Sequence, residues 1–424
     1  MDVRILPPEG ILETTIELPA SKSIAVRDTI MSYLAGSLQV VKPLANVCGD
    51  TRVLYSVLEK GLPADGSVVE IGAAGTSMRF LTALCAATEG VHCLLKGDER
   101  MSHRPIAALV DALRTLGADI TYRGEEGYPP LEVRGKKLSG GDVTIDTGIS
   151  SQFVSALMIA APLMKEPLTI HFQGNVQSLP YIEMTAKMLE RYGISAEVDR
   201  DKAIIGTEKY RMATPEIEAD WSAAAFWYEI AALTAGWVTL PHLKDKTLQG
   251  DRGEAELFER LGVLTEFTDE GAELSATPDL WNSLDADMGD MPDAVPALAV
   301  TAVMAGVPFK LTGVGVLHEK ECDRLQALVN ELLKVGAVLE IENYGNTLTW
   351  DGRKVPVREL PVFETYGDHR MAMALAPVSV FMPGIMIKNM EVVEKSYPGF
   401  WANLSQAGFV VVDNAKIMAS QQQQ

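Results

Sequence analysis

Two kinds of helix alternate along this chain, and their repetition limits the folds open to it more than any other feature. The first kind is amphipathic and ends at a glycine before a short stretch with strand character. Its six glycines are Gly61, Gly117, Gly193, Gly262, Gly336 and Gly408, separated by 56, 76, 69, 74 and 72 residues. Such repetition indicates six copies of one α/β unit. Because six units in 424 residues exceed a single core, the sequence predicts two lobes of three.

The second kind of helix carries almost no charge beyond its N-terminus. These segments span residues 18–36, 75–90, 150–165, 220–236, 293–306 and 368–384. A helix that is apolar nearly all round is buried, so only its N-terminus meets solvent, and there the backbone N–H groups favour an anion. In the first segment we expect Ser21 to be the N-cap, with Lys22, Ser23 and Arg27 near it. This pattern predicts a phosphate or carboxylate site; an ordinary core helix with a solvated basic start is the alternative.

The charge balance limits the partners of the chain. Its 37 Lys and Arg against 57 Asp and Glu give a net charge of −20, which disfavours nucleic acid and anionic membranes. The four cysteines show neither a CxxC pair nor metal-ligand spacing, so we expect reduced thiols and no metal. We find no signal peptide or membrane span and expect a cytoplasmic protein. The tail at 420–424 is too short and polar to pack, and we assign it no structure.

The second half of the sequence holds the acid and base candidates. Asp293 begins a buried-type helix, where an N-cap is the ordinary interpretation. The charged run HEKECDR at 318–324 is typical of a solvated face. However, Lys320 and Arg324 share one helical face that suits phosphate, and Glu321 between them is placed to transfer a proton.

Two other helix starts carry polar groups of different kinds. The last buried-type helix begins with Asp368, His369 and Arg370, and an arginine there opposes the helix dipole unless an anion neutralises it. Residues 150–152 place two serines and a glutamine at another helix start, which suits hydroxyls and phosphate oxygens.

Nine motifs, taken in order, resemble those of one enzyme family. They are SKS with Arg27, GTSMR at 75–79, RPIAALVDALRTLGA at 104–118, SSQF at 150–153, SLPY at 178–181, PDA at 292–294, KECDRL at 320–325, YGDHRMAM at 366–373 and KSYP at 395–398. Over residues 5–410 the chain resembles the 5-enolpyruvylshikimate-3-phosphate synthases. The resemblance implies a two-lobed inside-out α/β barrel of six βαβαββ repeats, three per lobe. It assigns residues 1–19 and 219–424 to one lobe and residues 20–218 to the other.

The family transfers the enolpyruvyl group of phosphoenolpyruvate to the 5-hydroxyl of shikimate 3-phosphate in aromatic amino acid biosynthesis. The resemblance implies a monomer that needs no metal or cofactor. The residues implied for shikimate 3-phosphate are Lys22, Ser23, Arg27, Ser150, Ser151, Gln152, Ser178, Tyr181, Asp293 and Lys320. Those implied for phosphoenolpyruvate are Lys22, Gly75, Arg104, Gln152, Arg324, Arg370 and Lys395. The expected catalytic residues are Lys22, Asp293 as base on the hydroxyl, and Glu321, which with Lys320 is a candidate for moving the methyl proton.

The sequence departs from the family pattern at Val26, Ala73 and Phe80, which leaves the affinities for substrates and inhibitors open. Gly75 keeps the small residue that lets glyphosate enter the phosphoenolpyruvate site, so we expect the chain to be a glyphosate target.

Two alternative functions stay open at this point. A UDP-N-acetylglucosamine enolpyruvyl transferase would pair its lysine with Asn and use a loop cysteine. Here Ser23 follows Lys22, and no Cys lies between Cys93 and Cys322. The other alternative is a homologue that binds anions and has lost catalysis.

Overall fold

The computed structural model describes residues 1–38, 48–146, 150–174 and 176–413. The chain forms two compact units. Met1–Ser21 with Glu218–Gln424 is called the first unit, and Lys22–Ile217 the second unit. The predicted lobe boundaries differ from these by one or two residues, and the assignment of three repeats to each lobe stays a prediction. The C-terminal tail at 420–424 lies outside the described residues.

The described residues contain twelve α-helices, six in each unit. In the second unit they are α1 (Lys22–Leu34), α2 (Gly49–Lys60), α3 (Gly75–Ala87), α4 (Ala107–Thr115), α5 (Ser151–Ala160) and α6 (Leu179–Arg191). In the first unit they are α7 (Trp221–Thr234), α8 (Glu254–Glu259), α9 (Val295–Ala305), α10 (Arg324–Leu333), α11 (His369–Leu375) and α12 (Phe400–Gln406). The odd-numbered helices are the buried kind, as predicted. All six predicted stop glycines have positive φ, between 82° and 98°, which glycine adopts without strain.

Proline shortens the α-helical part of two buried segments relative to the sequence pattern. After α5 the chain continues as a 3-10 turn at Ala161–Leu163, which contains Pro162, and after α11 as one at Ala376–Val380, which contains Pro377. Proline lacks the N–H that would continue the α-helical hydrogen bonds and clashes with the preceding turn. In the described part of the chain, no helix combines the length and apolarity that a membrane crossing requires.

Strands flank the helices in both units. In chain order they are β1 (Val3–Leu6), β2 (Glu13–Thr15), β3 (Ser67–Gly72), β4 (His92–Gly97), β5 (Asp119–Tyr122), β6 (Leu131–Arg134), β7 (Gly141–Asp146), β8 (Leu168–Gln173), β9 (Ala196–Val198), β10 (Lys202–Ile205), β11 (Trp237–Pro241), β12 (Val263–Phe267), β13 (Gly271–Ala276), β14 (Leu284–Asp287), β15 (Phe309–Thr312), β16 (Glu340–Glu342), β17 (Thr347–Trp350), β18 (Val362–Phe363), β19 (Ile385–Ile387) and β20 (Val410–Asp413).

The strands form five four-stranded sheets with one shared topology. The orders are β2-β11-β13-β12, β14-β15-β17-β16 and β18-β19-β1-β20 in the first unit, and β3-β4-β6-β5 and β7-β8-β10-β9 in the second. In every sheet the first two strands are parallel and the other neighbours antiparallel. Parallel neighbours need a crossover, and in four of the sheets a buried helix (α3, α5, α9 or α11) provides it directly. This topology explains why the polar N-termini of these four buried helices follow the end of a strand.

Glu229 and Glu254 differ from the other buried carboxylic acids of the first unit in their surroundings. Glu229 on α7 and Glu254 at the start of α8 are fully buried, and no described residue hydrogen-bonds to their carboxyl oxygens. Burial raises the pKa of both acids well above the usual range, and the negative charge of Asp251 raises that of Glu254 further. Both side chains therefore favour the protonated form in the folded protein.

We predict that Glu229→Met stabilises the protein at pH 8 by about 1–3 kcal/mol, because it removes a buried polar group that lacks hydrogen bonds. In the wild type, the raised pKa makes the free energy of unfolding fall as pH rises from the ordinary carboxyl range toward the pKa of the folded state. The variant loses this dependence, so its advantage shrinks at pH 4. Urea unfolding at both pH values, with the exposed Glu190→Met as control, measures the difference. Equal stability of Glu229→Met and wild type at pH 8 would contradict the argument.

Candidate active site

Asp293 lies at the centre of a charged network in the first unit. Its Oδ1 is 2.8 Å from Nη1 of Arg324 and 3.5 Å from Nζ of Lys320, and its Oδ2 is 2.9 Å from Nη2 of Arg370. Asp293 sits in a 3-10 turn at Pro292–Ala294 just before α9, and its carboxylate caps no helix there. The N-cap interpretation of Asp293 is therefore wrong, because three cations hold the carboxylate instead.

Arg324 connects this network to two further carboxylates. Its side chain is only 1% exposed; Nε donates to Oδ2 of Asp368 at 2.8 Å, and Nη2 donates to Oε2 of Glu321 at 2.8 Å. Burial lowers the pKa of the guanidinium, but the charges of Asp368, Glu321 and Asp293 outweigh it and raise the pKa well above its usual range. Burial likewise acts to raise the pKa of Asp368, yet Arg324 keeps it below the usual value. The buried ions therefore stay charged because each has partners in good geometry.

Glu321 and the two lysines complete the network. Oε1 of Glu321 is 2.8 Å from Nζ of Lys395, so this carboxylate lies between Lys395 and Arg324. Burial lowers the pKa of Lys320; the charges of Arg324 and Arg370 lower it further, against the attraction of Asp293 and Glu321. Lys320 therefore gives up its proton more readily than an ordinary lysine, which suits a general acid.

The anion that the sequence predicts beside Arg370 is a side chain of the protein, the carboxylate of Asp293. Arg370 is 4% exposed, and the Asp293 carboxylate accepts its hydrogen bond. Asp368 caps α11 by accepting the backbone N–H of Arg370 at 2.9 Å. The charged run at 318–324 has two parts. Glu319 and Asp323 face solvent, whereas Lys320, Glu321 and Arg324 belong to the network. The solvated-face interpretation thus applies to only part of the run.

Arg27 is the central cation of the second unit, and its partners are neutral. It donates to the hydroxyls of Thr185 at 2.7 Å and Ser155 at 3.0 Å, and to the carbonyls of Ser23 at 2.9 Å and Tyr181 at 3.3 Å. Burial lowers the pKa of Arg27 to about 10. Within the described ranges no carboxylate pairs with this guanidinium. A bound anion would offset the cost of burying its charge.

Hydroxyl groups lie at the starts of α1, α5 and α6. Ser150 caps α5, since its Oγ accepts the backbone N–H of Gln152 at 3.2 Å, and Ser151 follows. Ser178 has a left-handed φ of 59° and makes no cap hydrogen bond, and such strain concentrates at functional sites. Ser21 directly precedes the first residue of α1, as predicted for the N-cap, but no described residue hydrogen-bonds to its buried Oγ.

Gly75, the first residue of α3, lies against two guanidiniums. A Cβ added at Gly75 would lie 2.4 Å from Nη1 of Arg104 and 2.6 Å from Nη1 of Arg79. Only glycine therefore allows both arginines so close to the backbone here. None of the residues that the structure describes accepts a hydrogen bond from the Arg104 side chain, and its Nε is buried.

The structure thus brings many of the predicted site residues together. In the first unit all six, Asp293, Lys320, Glu321, Arg324, Arg370 and Lys395, form one network. In the second unit the contacts join Arg27 to Ser23 and Tyr181, Ser150 to Gln152, and Gly75 to Arg104, while Lys22 begins α1. Sequence reasoning missed the hydroxyls that hold Arg27. Their spacing in the sequence could have indicated them, because Ser155 and Thr185 come one helical turn after Ser151 and Tyr181 and so lie on the same helix faces.

Comparison with known proteins agrees with this constellation. A family model described as EPSP synthase (3-phosphoshikimate 1-carboxyvinyltransferase) matches residues 7–404. The chain belongs to the EPSP synthase family. This membership confirms the resemblance inferred from the nine motifs and favours it over the UDP-N-acetylglucosamine alternative.

Individual members of the EPSP synthase family match the chain over nearly its whole length. A 3-phosphoshikimate 1-carboxyvinyltransferase of Bacteroides fragilis is 42% identical over 407 residues, covering 96% of this chain and 98% of the relative. One from Idiomarina loihiensis is 35% identical over 426 residues, covering 94% and 97%. The EPSP synthase structure from Acinetobacter baumannii superposes with a TM-score of 0.72 at 22% identity, over 97% of this chain and 100% of that one. The fold is therefore the mixed-sheet α/β fold of EPSP synthases.

We predict that Asp368→Asn destabilises the protein by roughly 3 kcal/mol, because it leaves Arg324 buried with one carboxylate fewer. The pKa of Asp368 is lowered in the folded state, so its stabilising contribution is present at neutral pH and is lost as pH falls below the ordinary carboxyl range. Urea unfolding at pH 7 measures the loss, with the exposed Asp269→Asn as control. A loss no larger than that of the control would show that Asp368 does not hold Arg324 in the folded protein.

Proposed function

We propose that this chain transfers the enolpyruvyl group of phosphoenolpyruvate to the 5-hydroxyl of shikimate 3-phosphate and releases phosphate. The observation that carries the proposal is the Asp293 network. It joins the carboxylates of Asp293 and Glu321 to Lys320, a lysine whose pKa is lowered. The chain that holds them belongs to the EPSP synthase family. The reaction needs both removal and delivery of a proton, and these groups supply both.

The residues proposed for shikimate 3-phosphate combine hydroxyls with a few cations. They are Lys22, Ser23, Arg27, Ser150, Ser151, Gln152, Ser178, Tyr181, Asp293 and Lys320. The Arg27 guanidinium supports this assignment, because it is buried among neutral partners and gains from an anion. Ser178 supports it too, because its backbone is left-handed and its hydroxyl makes no cap hydrogen bond to α6.

The residues proposed for phosphoenolpyruvate are mainly cationic: Lys22, Gly75, Arg104, Gln152, Arg324, Arg370 and Lys395. Guanidinium groups bind carboxylate and phosphate through paired hydrogen bonds. Four N–H groups of Arg324 donate to Asp293, Glu321 and Asp368. A ligand carboxylate would therefore share Arg324 with carboxylates that already fix its orientation.

In the proposed mechanism, Asp293 accepts the proton of the 5-hydroxyl as its oxygen attacks the central carbon of phosphoenolpyruvate. The methylene carbon gains a proton in the same addition, and a tetrahedral adduct results. Lys320 suits this delivery because its pKa is lowered. Glu321, held between Lys395 and Arg324, suits the later removal of a methyl proton as the adduct expels phosphate. Lys22 and the arginines stabilise charge on the leaving phosphate.

We also propose the finer architecture that the family resemblance implies. It comprises six βαβαββ repeats in an inside-out barrel, with lobes at 1–19 and 219–424 and at 20–218, acting as a cytoplasmic monomer. The five sheets of common topology support the repeat, and α1 with α2 supplies the sixth helix pair.

Phosphate release by the purified chain tests the function. We expect release only when shikimate 3-phosphate and phosphoenolpyruvate are both present. Release with UDP-N-acetylglucosamine in place of shikimate 3-phosphate would favour the sister transferase. Binding of either substrate without any release would favour a homologue that has lost catalysis.

We predict that Glu321→Gln lowers kcat by roughly 100-fold or more and changes both KM values only a few-fold, because the amide keeps the shape but cannot exchange a proton. Steady-state kinetics measure both quantities. The matched control is Glu319→Gln, two residues away and exposed, which should leave kcat unchanged. A kcat of Glu321→Gln within a few-fold of wild type would remove Glu321 from proton transfer.

We predict that Gly75→Ala raises the KM for phosphoenolpyruvate about tenfold or more while the KM for shikimate 3-phosphate stays within a few-fold. The new Cβ would lie 2.4 Å from Nη1 of Arg104 and must displace it, which weakens a charge-assisted contact. Gly399→Ala is the control, since its nearest contact would be an ordinary 3.9 Å. Unchanged KM values for Gly75→Ala would contradict the assignment, and a glyphosate titration of the wild type tests the expected sensitivity.

A further inference from the structure

Ser155 and Thr185 hold Arg27, and neither the motif comparison nor the proposed mechanism gives them a role. Ser155 lies in α5 and Thr185 in α6, and both residues are fully buried. Nε of Arg27 donates to Oγ1 of Thr185 at 2.7 Å, and Nη2 donates to Oγ of Ser155 at 3.0 Å. Because Arg27 belongs to α1, these two hydroxyls join its guanidinium to two further helices of the second unit.

The Thr185 hydroxyl also ties Arg27 to the first turn of α6. A threonine hydroxyl has one hydrogen to donate and two lone pairs that accept. Besides accepting the N–H of Arg27, it has two acceptors in reach, the carbonyl oxygen of Tyr181 at 2.8 Å and Oγ of Ser155 at 2.9 Å. Nη2 of Arg27 donates to the same Tyr181 carbonyl at 3.3 Å. The guanidinium, the two hydroxyls and the start of α6 therefore form one hydrogen-bonded group, and Tyr181 is a residue proposed for shikimate 3-phosphate.

The hydrogen bonds of Arg27 leave one of its N–H groups for a ligand. A guanidinium has five N–H groups in a fixed plane. Thr185 accepts that of Nε, Ser155 and Tyr181 accept those of Nη2, and the carbonyl of Ser23 accepts one from Nη1 at 2.9 Å. Within the described ranges the second N–H of Nη1 has no acceptor. Because the group is planar, holding Nε and Nη2 in place also sets the direction of this N–H.

The groups of the described residues that hold Arg27 are neutral. Besides the hydroxyls and carbonyls, the ring of Phe80 faces the guanidinium, whose Cζ is 5.4 Å from the ring centre. A carboxylate partner would orient the guanidinium as well, but its negative charge would offset the attraction of Arg27 for an anion. Neutral partners orient the guanidinium and leave its charge to the ligand. Ser155 and Thr185 are therefore suited to set the geometry of Arg27 without weakening its contact with a substrate.

We propose that Thr185 and Ser155 are positioning residues for shikimate 3-phosphate, which hold the Arg27 guanidinium in the orientation that binds this substrate. The inference rests on the proposed function and adds two residues that act through Arg27 rather than by touching the substrate. Hydroxyls that only pack α1, α5 and α6 together would instead contribute to the stability of the fold and leave the affinity for shikimate 3-phosphate unchanged.

Steady-state kinetics of Thr185→Val and Thr185→Ser test the proposal. Valine keeps the shape of threonine but removes the oxygen that accepts from Nε of Arg27. Loss of a hydrogen bond to a charged group corresponds to roughly 10- to 100-fold in affinity, and we expect Thr185→Val to raise the KM for shikimate 3-phosphate about tenfold, because the other bonds of Arg27 remain. The KM for phosphoenolpyruvate should stay within a few-fold. Thr185→Ser keeps the hydroxyl and should recover most of the loss.

Thr82→Val is the matched control for these kinetics. Thr82 is also fully buried in the second unit, but its hydroxyl donates to the carbonyl of Met78 in its own helix at 2.7 Å. The control should change neither KM value. Equal increases of both KM values in Thr185→Val, or an effect of Thr185→Ser as large as that of Thr185→Val, would overturn the inference.

Titration calorimetry with shikimate 3-phosphate alone shows whether Thr185 acts through Arg27, and this measurement needs no turnover. In an Arg27→Met background the guanidinium is gone, so adding Thr185→Val should change the Kd by less than about twofold. A further loss of affinity as large as that in the single Thr185→Val variant would show that Thr185 acts independently of Arg27 and would overturn the inference.

The same titration of the wild type separates failure of this inference from failure of the proposed function. If the wild type does not bind shikimate 3-phosphate, the proposed function fails and the inference fails with it. If the wild type binds and Thr185→Val binds equally well, the inference alone fails. If Thr185→Val does not fold, Ser155→Ala, which removes the hydroxyl that accepts from Nη2 of Arg27, decides by the same readouts.

Discussion

The site in the first unit depends on one buried guanidinium. Arg324 has three carboxylate partners, and each of them belongs to a different segment of the chain. Leaving a charge buried without a partner costs several kcal/mol, so the partners fix one another in a single arrangement. The acids and bases of this site are therefore preorganised, because their ion pairs hold each side chain in one conformation.

The two units neutralise their buried cations differently. In the first unit the cations face carboxylates of the protein, and this pairing keeps the arginines charged and orients Asp293 and Glu321. In the second unit Arg27 has hydroxyl and carbonyl partners, and its pKa is lowered by burial. Neutral partners orient a guanidinium without cancelling its charge. The charge of Arg27 is therefore not compensated by a carboxylate of the described residues, whereas Arg324 and Arg370 are paired with carboxylates of the protein.

The net charge of −20 overstates the negative charge of the folded protein. Glu229 and Glu254 are buried and favour the protonated acid, and burial also raises the pKa of Asp28, to which Tyr192 donates a hydrogen bond. Asp28 and Glu229 lie in helices that the apolar pattern assigns to the interior, whereas Glu254 begins α8, a helix of the other kind. They lower the stability of the fold at neutral pH relative to apolar residues, and the structure gives no function for them.

Local sequence patterns were enough to predict the helix types, the glycine stops and the polar N-termini, because 3.6-residue periodicity, caps and backbone freedom are local properties. The family motifs fixed the resemblance for the same reason, since each is a short contiguous pattern. Which charges meet depends on how the elements pack in three dimensions. Asp293 accepts from Arg324 and Arg370 across 31 and 77 residues, and Arg27 reaches Thr185 across 158, distances that no local pattern encodes. The same reason explains why Asp293 was interpreted as a helix cap: its partners Arg324 and Arg370 come from other elements, brought together by packing.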